Sequence, residues 1–414
     1  MVGQPWNGDS VLTLRDADSI GLANQPRIQA AELRAAAAGQ LVNEARSAYL
    51  PTLSANATGT VAGDRGTAVA AGALTTSSLS DRFAYGGGLL QLITDFGRTS
   101  ALVASAHYGH VAQEQQATWT RAQVVLNVDE AYYSVLSAEA VLRAARQALT
   151  SRQLTAHQVS ELAQSRLKST LDVGFADVLA SEAELAVVRA ESTVRRARAR
   201  LAASMGLETM VEQPLADDTL PPPLPPEPEP LIERAMQHRA DVHALNAQHN
   251  AANAYADAQT RLRYPAVSIM AVAGELPYHD PTLHNNYAAA GFNLSLPIFN
   301  GGLFEARRAS ARLEADALGK DVVALRVEIA HEVRDAWYQA NDAFRSLDVS
   351  ARLVDQSAHA LRLAQTRYDN GLGSIVELNE AQLNETSAEI TAADAKYTYL
   401  SRRADLAYAV GELP

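Results

Sequence analysis

Glu377 and Glu380 stand three residues apart, just after the glycine-rich run Gly371-Leu372-Gly373-Ser374. Residues three apart share a helix face, so the pair concentrates carboxylate charge at one spot beside a turn. Brought together around a symmetry axis by three chains, six such carboxylates would raise one another's pKa, favour the entry of cations and hold a blocking cation. The plainer alternative is a solvated acidic first turn, where glutamate complements the helix dipole.

Other groups that could do chemistry lack their companions. Asp95-Phe96-Gly97 is a kinase tripeptide, but no glycine-rich phosphate loop or catalytic-loop motif accompanies it. Gly86-Gly87-Gly88 lies in a strand-like segment and lacks the spacing of a dinucleotide turn. His238, His243 and His249 have neither the i,i+4 spacing nor the acidic partner of a helical zinc site. No Ser/His/Asp grouping is identifiable, and the chain has no cysteine, which excludes disulfides, thiolate metal sites and a cysteine nucleophile. The expectation is a protein that is not an enzyme and has no cofactor and no metal site.

The bulk properties narrow the partners. A net charge of −12 argues against nucleic acid, which needs a basic stripe. No segment approaches the ~18 apolar residues of a membrane helix. The first ten residues lack a charged-then-apolar signal pattern, as expected of a cytosolic protein or of a mature chain.

The elements that must position these residues are arranged around residues 220–230, which hold seven prolines in eleven positions. Proline fixes φ and has no N–H to donate, so this segment reads as a stiff extended connector. What precedes it is repeated after it. Residues 16–49 have helical periodicity, interrupted at Asn24-Gln25-Pro26, and end at Leu50-Pro51. Residues 231–263 are helical and end at Tyr264-Pro265. Strands are expected at about 52–63 and 82–94, with a loose Gly/Ala/Ser/Thr run to Ser80 between them, and again at about 266–274 and 287–298.

Long helices follow each strand pair. Val124, Val128, Ala131, Val135, Ala138, Leu142, Ala145 and Leu149 step by alternating fours and threes, a heptad seam. Val322, Leu325, Ile329, Val333, Ala336, Ala340, Ala343 and Leu347 keep the same rhythm. Each rod of about 66 residues would run roughly 100 Å, then break (168–174 and 369–373) before a last helix (about 176–205 and 375–410). The chain therefore reads as a first repeat at 1–214, a Pro-rich linker at 215–230 and a second repeat at 231–414.

In the strand from Thr52, Leu53, Ala55, Ala57, Gly59 and Val61 alternate with Thr, Ser and Asn. In the second strand, Phe83, Tyr85, Gly87, Leu89 and Gln91 share one side. The hydroxyl and amide rows are too polar to bury dry, whereas a polar lumen and an apolar outer wall suit a membrane barrel. Four strands cannot close one, since the smallest have eight. A trimer would supply twelve strands, with the long helices forming a tube below. The competing expectation of another class is a soluble coiled-coil scaffold or adaptor.

The paired repeat, the Ala-Tyr-Leu-Pro and Arg-Tyr-Pro corners, Asp95-Phe96-Gly97-Arg98 with Asn300-Gly301-Gly302, and the Arg367–Gly371 run together resemble the TolC-type outer-membrane efflux proteins. The resemblance covers nearly the whole chain. It implies an α+β membrane protein, homotrimeric, with a 12-stranded β-barrel in the outer membrane continued by a long periplasmic α-helical barrel. It implies a passive exit duct that exports drugs or other small molecules, with a type I protein secretion duct as the alternative. The implied partners are a periplasmic adaptor, an inner-membrane pump or transporter, and outer-membrane lipid. Tyr368 falls on the family's gate tyrosine, Glu377 and Glu380 on its acidic constriction, and Asp177 on the matching acid of the first repeat. Gly373 stands where some members carry a bracing arginine. Thr170 replaces the glycine expected at the first tip, and the segment 168–177 reads as one residue longer than its counterpart. Thr170 and Leu171, with Gly371 and Leu372, are the implied adaptor-contact tips.

Overall fold

The computed structural model describes residues 11–61, 66–69, 76–79, 81–217, 219–279 and 284–414. The N-terminal ten residues and Pro281 of the second strand connection lie outside that set. The chain divides into two compact units: one holds residues up to 32 with 115–242 and 324–414, the other holds 33–114 and 243–323.

The elements in chain order are α1 (Leu14–Asn24), α2 (Pro26–Ser47), β1 (Thr52–Thr60), β2 (Gly66–Val69), β3 (Thr76–Leu79), β4 (Arg82–Thr94), α3 (Arg98–Gln164) and α4 (Thr170–Ser204). After the linker come α5 (Glu229–His238), α6 (Ala240–Thr260), β5 (Ala266–Tyr278), β6 (Asn286–Ser295), α7 (Leu303–Asp369) and α8 (Ile375–Val410). Both α3 and α7 are 67 residues long. Among the described residues no helix is long and apolar enough to cross a membrane.

Local chemistry sets the boundaries. Thr13 caps α1, accepting from the Asp16 amide at 3.2 Å while Asp16 accepts from the Thr13 amide at 3.3 Å, a reciprocal capping box. Gln25 is extended, as a residue before proline must be, and α2 restarts with Pro26 at its first position. Four sequence expectations need correction. The run before Ser80 holds a two-stranded hairpin, β2 with β3, whose strands of four residues are too short to register as alternation. The helix expected over 231–263 is broken at Arg239, which is extended (φ −66°, ψ 126°). β5 continues past Gly274 to Tyr278, because Pro277 falls at a register shift against β4, where a missing N–H is tolerated. α4 begins six residues before Ala176, because Ser169 caps it.

The main sheet is antiparallel in the order β1-β4-β5-β6. Its register decides the function of each face, because residues directly opposite in a ladder point the same way. Leu53 pairs with Leu89 and Ala57 with Tyr85; Leu89 pairs in turn with Ala271, which pairs with Ala290. Ile269 pairs with Phe292 on that same side. The other side gathers Ser54 with Gly88, Asn56 with Gly86, and Ser268 with Asn293. That second side also carries Leu90, Met270 and Val272, so its polar character comes from β1, the β4 glycines and part of β6. Gly86 and Gly274 face each other beneath the Tyr287 ring, and neither has room for a Cβ.

In the first unit the heptad seam is the core. Val128, Ala131, Val135, Ile329, Val333 and Ala340 are fully buried. Residue i of α3 corresponds to residue i + 205 of α7: Val124 to Ile329, Val128 to Val333, Val135 to Ala340. The same offset relates two buried aromatics that hold the linker. The Tyr132 hydroxyl lies 2.7 Å from the Ala216 carbonyl and 2.9 Å from that of Leu12. Trp337 Nε1 donates to the Pro225 carbonyl at 3.1 Å. Where each short helix pair breaks, a polar side chain reaches a C-terminal carbonyl. Gln25 donates to Ser204 (3.0 Å), and the buried Arg239 donates to Ala409 (3.3 Å), Glu332 (2.6 Å) and Asp241 (2.7 Å). Burial alone would lower the Arg239 pKa, but Asp241 and Glu332 hold it above the usual value.

Asp18 of α1 hydrogen-bonds the buried Asp129 of α3. Burial pushes the Asp18 carboxyl up to about 6, partly offset by that bond. A raised folded-state pKa gives stability that is complete below the unfolded value of 3.8 and is lost as pH rises through about 6. Thermal unfolding of Asp18→Asn should therefore show wild type losing stability relative to the variant between about pH 4 and 6. Parallel curves over that range would contradict the assignment.

Candidate functional site: the paired helical tips

Two helical turns lie at the ends of the long rods. α3 passes to α4 through residues 165–169, and α7 passes to α8 through 370–374. The turns superpose in hydrogen bonding at the same 205-residue offset. The Leu167 amide donates to Leu162 at 2.9 Å and the Leu372 amide to Arg367 at 2.8 Å; Arg166 and Gly371 donate to Ala163 and Tyr368. Each is a six-to-one closure with a left-handed residue at the turn. Gly371 takes that conformation freely at φ 72°, whereas Arg166 takes it at φ 57°, at a cost of about 1 kcal/mol for an L side chain.

Ser169 and Ser374 then cap the outgoing helices. Ser169 accepts from the Leu171 amide at 3.1 Å, and Asp172 accepts from the Ser169 amide at 3.2 Å. Ser374 accepts from the Glu377 amide at 3.1 Å. This frame relocates several residues. Thr170 and Leu171 are the opening residues of α4, not the turn; the counterparts of Gly371 and Leu372 are Arg166 and Leu167. The two turns are of equal length, and the segment after Lys168 has no extra residue. Glu377 is matched in the first repeat by Asp172, since both occupy the third helical position, whereas Asp177 lies further along α4 and is exposed.

Tyr368 is buried at 4% exposure in a small core with Val159, Ala176, Ile375 and Leu378. The ammonium of Lys168, from the other turn, sits 3.7 Å from the centre of its ring. The hydroxyl is buried and has no hydrogen-bond partner among the described residues. Burial pushes the Tyr368 phenol up, and Asp172 and Asp369 add to it, so the ring faces Lys168 as a neutral phenol. Glu377 is paired with Arg367 at 3.0 Å, and Arg367 also donates to the Leu372 carbonyl at 3.2 Å. Gly373 keeps this pocket open: a Cβ there would press on Arg367 and Glu377. Arginine does stand at this tip, at Arg367. Glu380 is exposed one turn along α8.

The site thus brings together Tyr368, Glu377 and the Gly371-Leu372 turn, and adds Lys168, Asp172 and Arg367, which motif reading missed. Lys168 could have been found only from the repeat offset, which places it opposite Gly373. Leu167, Leu171 and Leu372 are 65–72% exposed. The interactions across the turns are weak. The pair of Arg367 with Glu377, about half exposed on both sides, is worth ~0.2–1 kcal/mol. The cation–π contact is worth roughly 0.5–2 kcal/mol. Among the described residues no cluster of His, Asp or Glu is placed to hold a metal ion.

The chain combines a four-stranded antiparallel sheet with two 67-residue helices that carry heptad seams. The family described as outer membrane efflux protein matches residues 19–207 and 231–412. The chain belongs to that family, and its location is the cell outer membrane. The chain is 26% identical to the solvent efflux pump outer membrane protein SrpC of Pseudomonas putida, over 69% of this chain and 62% of that protein. It is 26% identical to the outer membrane protein OprJ of Pseudomonas aeruginosa, over 76% of this chain and 67% of that one. The aligned part thus spans under two thirds of SrpC. The crystal structure of the outer membrane protein VceC from Vibrio cholerae matches with a TM-score of 0.82 at 20% identity, over 96% of both chains. The fold is that of the TolC-type outer-membrane channels.

The tip geometry separates two roles for Tyr368. Tyr368→Phe removes only an unpartnered hydroxyl and keeps the ring over Lys168, so it should leave stability unchanged or raise it by about 1 kcal/mol. Tyr368→Ala should cost about 3–5 kcal/mol by opening a cavity. Hydrogen exchange at the α3–α4 and α7–α8 turns would read this locally; equal loss of protection in both variants would contradict the packing role.

Proposed function

We propose that the chain is one third of a passive exit duct. Three copies join β6 of one to β1 of the next, closing a 12-stranded barrel whose apolar face meets lipid and whose hydroxyl- and glycine-rich face lines a wet lumen. The long helices continue it as a periplasmic tube. Residues 1–214 and 231–414 are the two repeats and 215–230 is the linker; the 205-residue offset of the long helices and their turns supports this division. The observation that carries the reading is the cross-strand register, which aligns the faces of the four main-sheet strands, with Leu53, Leu89, Ile269 and Phe292 on one side. An isolated soluble scaffold has no use for a four-stranded sheet whose apolar row, from Leu53 to Phe292, is exposed.

The duct performs no chemistry and takes its energy from an inner-membrane transporter, reached through a periplasmic adaptor. Leu167, Leu171 and Leu372, with Thr170 and Gly371 beside them, form the adaptor's contact. The names of relatives such as SrpC favour small organic cargo over secreted protein. The paired turns are the gate. Lys168 on Tyr368 clasps the two turns together, and Arg367 restrains Glu377. In the closed trimer Glu377, Glu380 and Asp177 crowd the axis and make the constriction cation-selective. The clasp's few kcal/mol are small enough for an adaptor contact to reverse.

Single-channel recording in a planar bilayer tests this. Wild type should show small, cation-preferring conductance blocked by divalent cations. Glu377→Ala/Glu380→Ala should relieve the block, and Lys168→Met should raise the fraction of time spent open. Conductance unmoved by all these changes would remove the gate assignment, and a protein that never inserts would remove the duct.

A further inference from the structure

In the second unit, α3, α6 and α7 border an open cavity of about 760 Å³, with Arg307, Ser310 and Glu314 exposed along it, that the duct reading leaves unused. Arg98 and Arg307 line it, with Ser310, Tyr255, Gln259 and Glu314. Glu314 lies seven residues, two helical turns, from Arg307, so the arginine end keeps its positive charge. Nε of Arg98 is buried and has no hydrogen-bond partner among the described residues. A buried guanidinium donor left unpaired is costly, and a planar fork of this kind pairs best with a phosphate or carboxylate.

Position narrows the anion. β4 ends four residues before Arg98, and β6 ends twelve before Arg307. Between strand ends and arginines lies an exposed apolar belt: Phe96 (55%), Tyr264 (42%), Ile298 (94%) and Phe299 (89%). Phe96 stacks edge-on against Tyr264 at 6.4 Å, and Arg263 lies over the Tyr264 ring at 5.6 Å. Arg261 donates to the Gly97 carbonyl at 2.5 Å, which holds the α6 end to the start of α3. Aromatic side chains backed by arginines are the pattern of a membrane–water interface, and basic pockets at that level receive lipid headgroups.

We propose that this cavity seats the phosphodiester of a membrane phospholipid, with Arg98 and Arg307 on its oxygens and the acyl chains rising along the Phe96–Tyr264 belt. The proposal rests on the sheet lying in the membrane, which the channel recordings test separately.

The test is calorimetric titration of the full-length protein in maltoside micelles with dihexanoylphosphatidylglycerol, and in a parallel arm with inorganic phosphate. Wild type should bind one lipid per chain and bind inorganic phosphate far more weakly. Arg98→Gln/Arg307→Gln should weaken lipid binding about tenfold or more, as expected for losing charge-assisted bonds. Ser310→Phe, which fills the cavity and leaves both charges, should weaken it as well. Both variants should still conduct in bilayers, which checks that they fold. Lipid binding unchanged in either conducting variant would overturn the proposal. Inorganic phosphate binding as tightly as lipid would overturn it too, assigning the cavity to free anions. Absent lipid binding in a wild type that conducts normally would sink the lipid site and leave the duct standing.

Discussion

The unpaired edges of β1 and β6 are the constraint on which the structure depends. In a bilayer core each unsatisfied backbone N–H or C=O costs several kcal/mol. A four-stranded sheet open at both edges therefore cannot rest in lipid by itself, and in the proposed duct copies of the same sheet pair with those edges. The side chains agree with the backbone. Leu53, Leu89, Ala271 and Ala290 fall in one row and Ser54, Gly88, Ser268 and Asn293 on the opposite face, so one closure satisfies both the ladder and the solvent on each side.

Free-energy scales separate the parts that hold from the parts that move. Arg239 is buried against Asp241, Glu332 and the Ala409 carbonyl, and breaking such a network costs about 3–5 kcal/mol. The seam of Val128, Val135, Ile329 and Val333 is fully buried. At the turns, a half-exposed ion pair and one cation–π contact add only weakly to the small core around Tyr368. The proposed gate places motion at these turns rather than at the seam or the Arg239 anchor.

Much of this was legible in the sequence, for a physical reason. Heptad seams, Pro corners and period-two strands are local patterns, and α3, α7 and the four long strands lie where those patterns put them. The resemblance carried by the corner motifs named the right family. What escaped reading was set by contacts distant in the chain. The break at Arg239 comes from a guanidinium bonded to Glu332, ninety-three residues on. The pairing of Glu377 with Arg367 and of Lys168 with Tyr368 depends on turn geometry, which also puts the left-handed residue at Arg166 and Thr170 inside α4. β2 and β3 were invisible because four residues carry too little periodicity.

The most direct test of the account is which strand β1 pairs with in the assembled protein. The chain has no native cysteine, so Asn56→Cys on β1 can be combined with Tyr287→Cys, Ala289→Cys or Gly291→Cys on β6, all on the lumen face. Oxidation in the membrane should produce covalent species that stop at three chains in at least one of these pairs. Chains that remain monomeric in every pair, or a ladder that runs past three, would contradict the closed barrel.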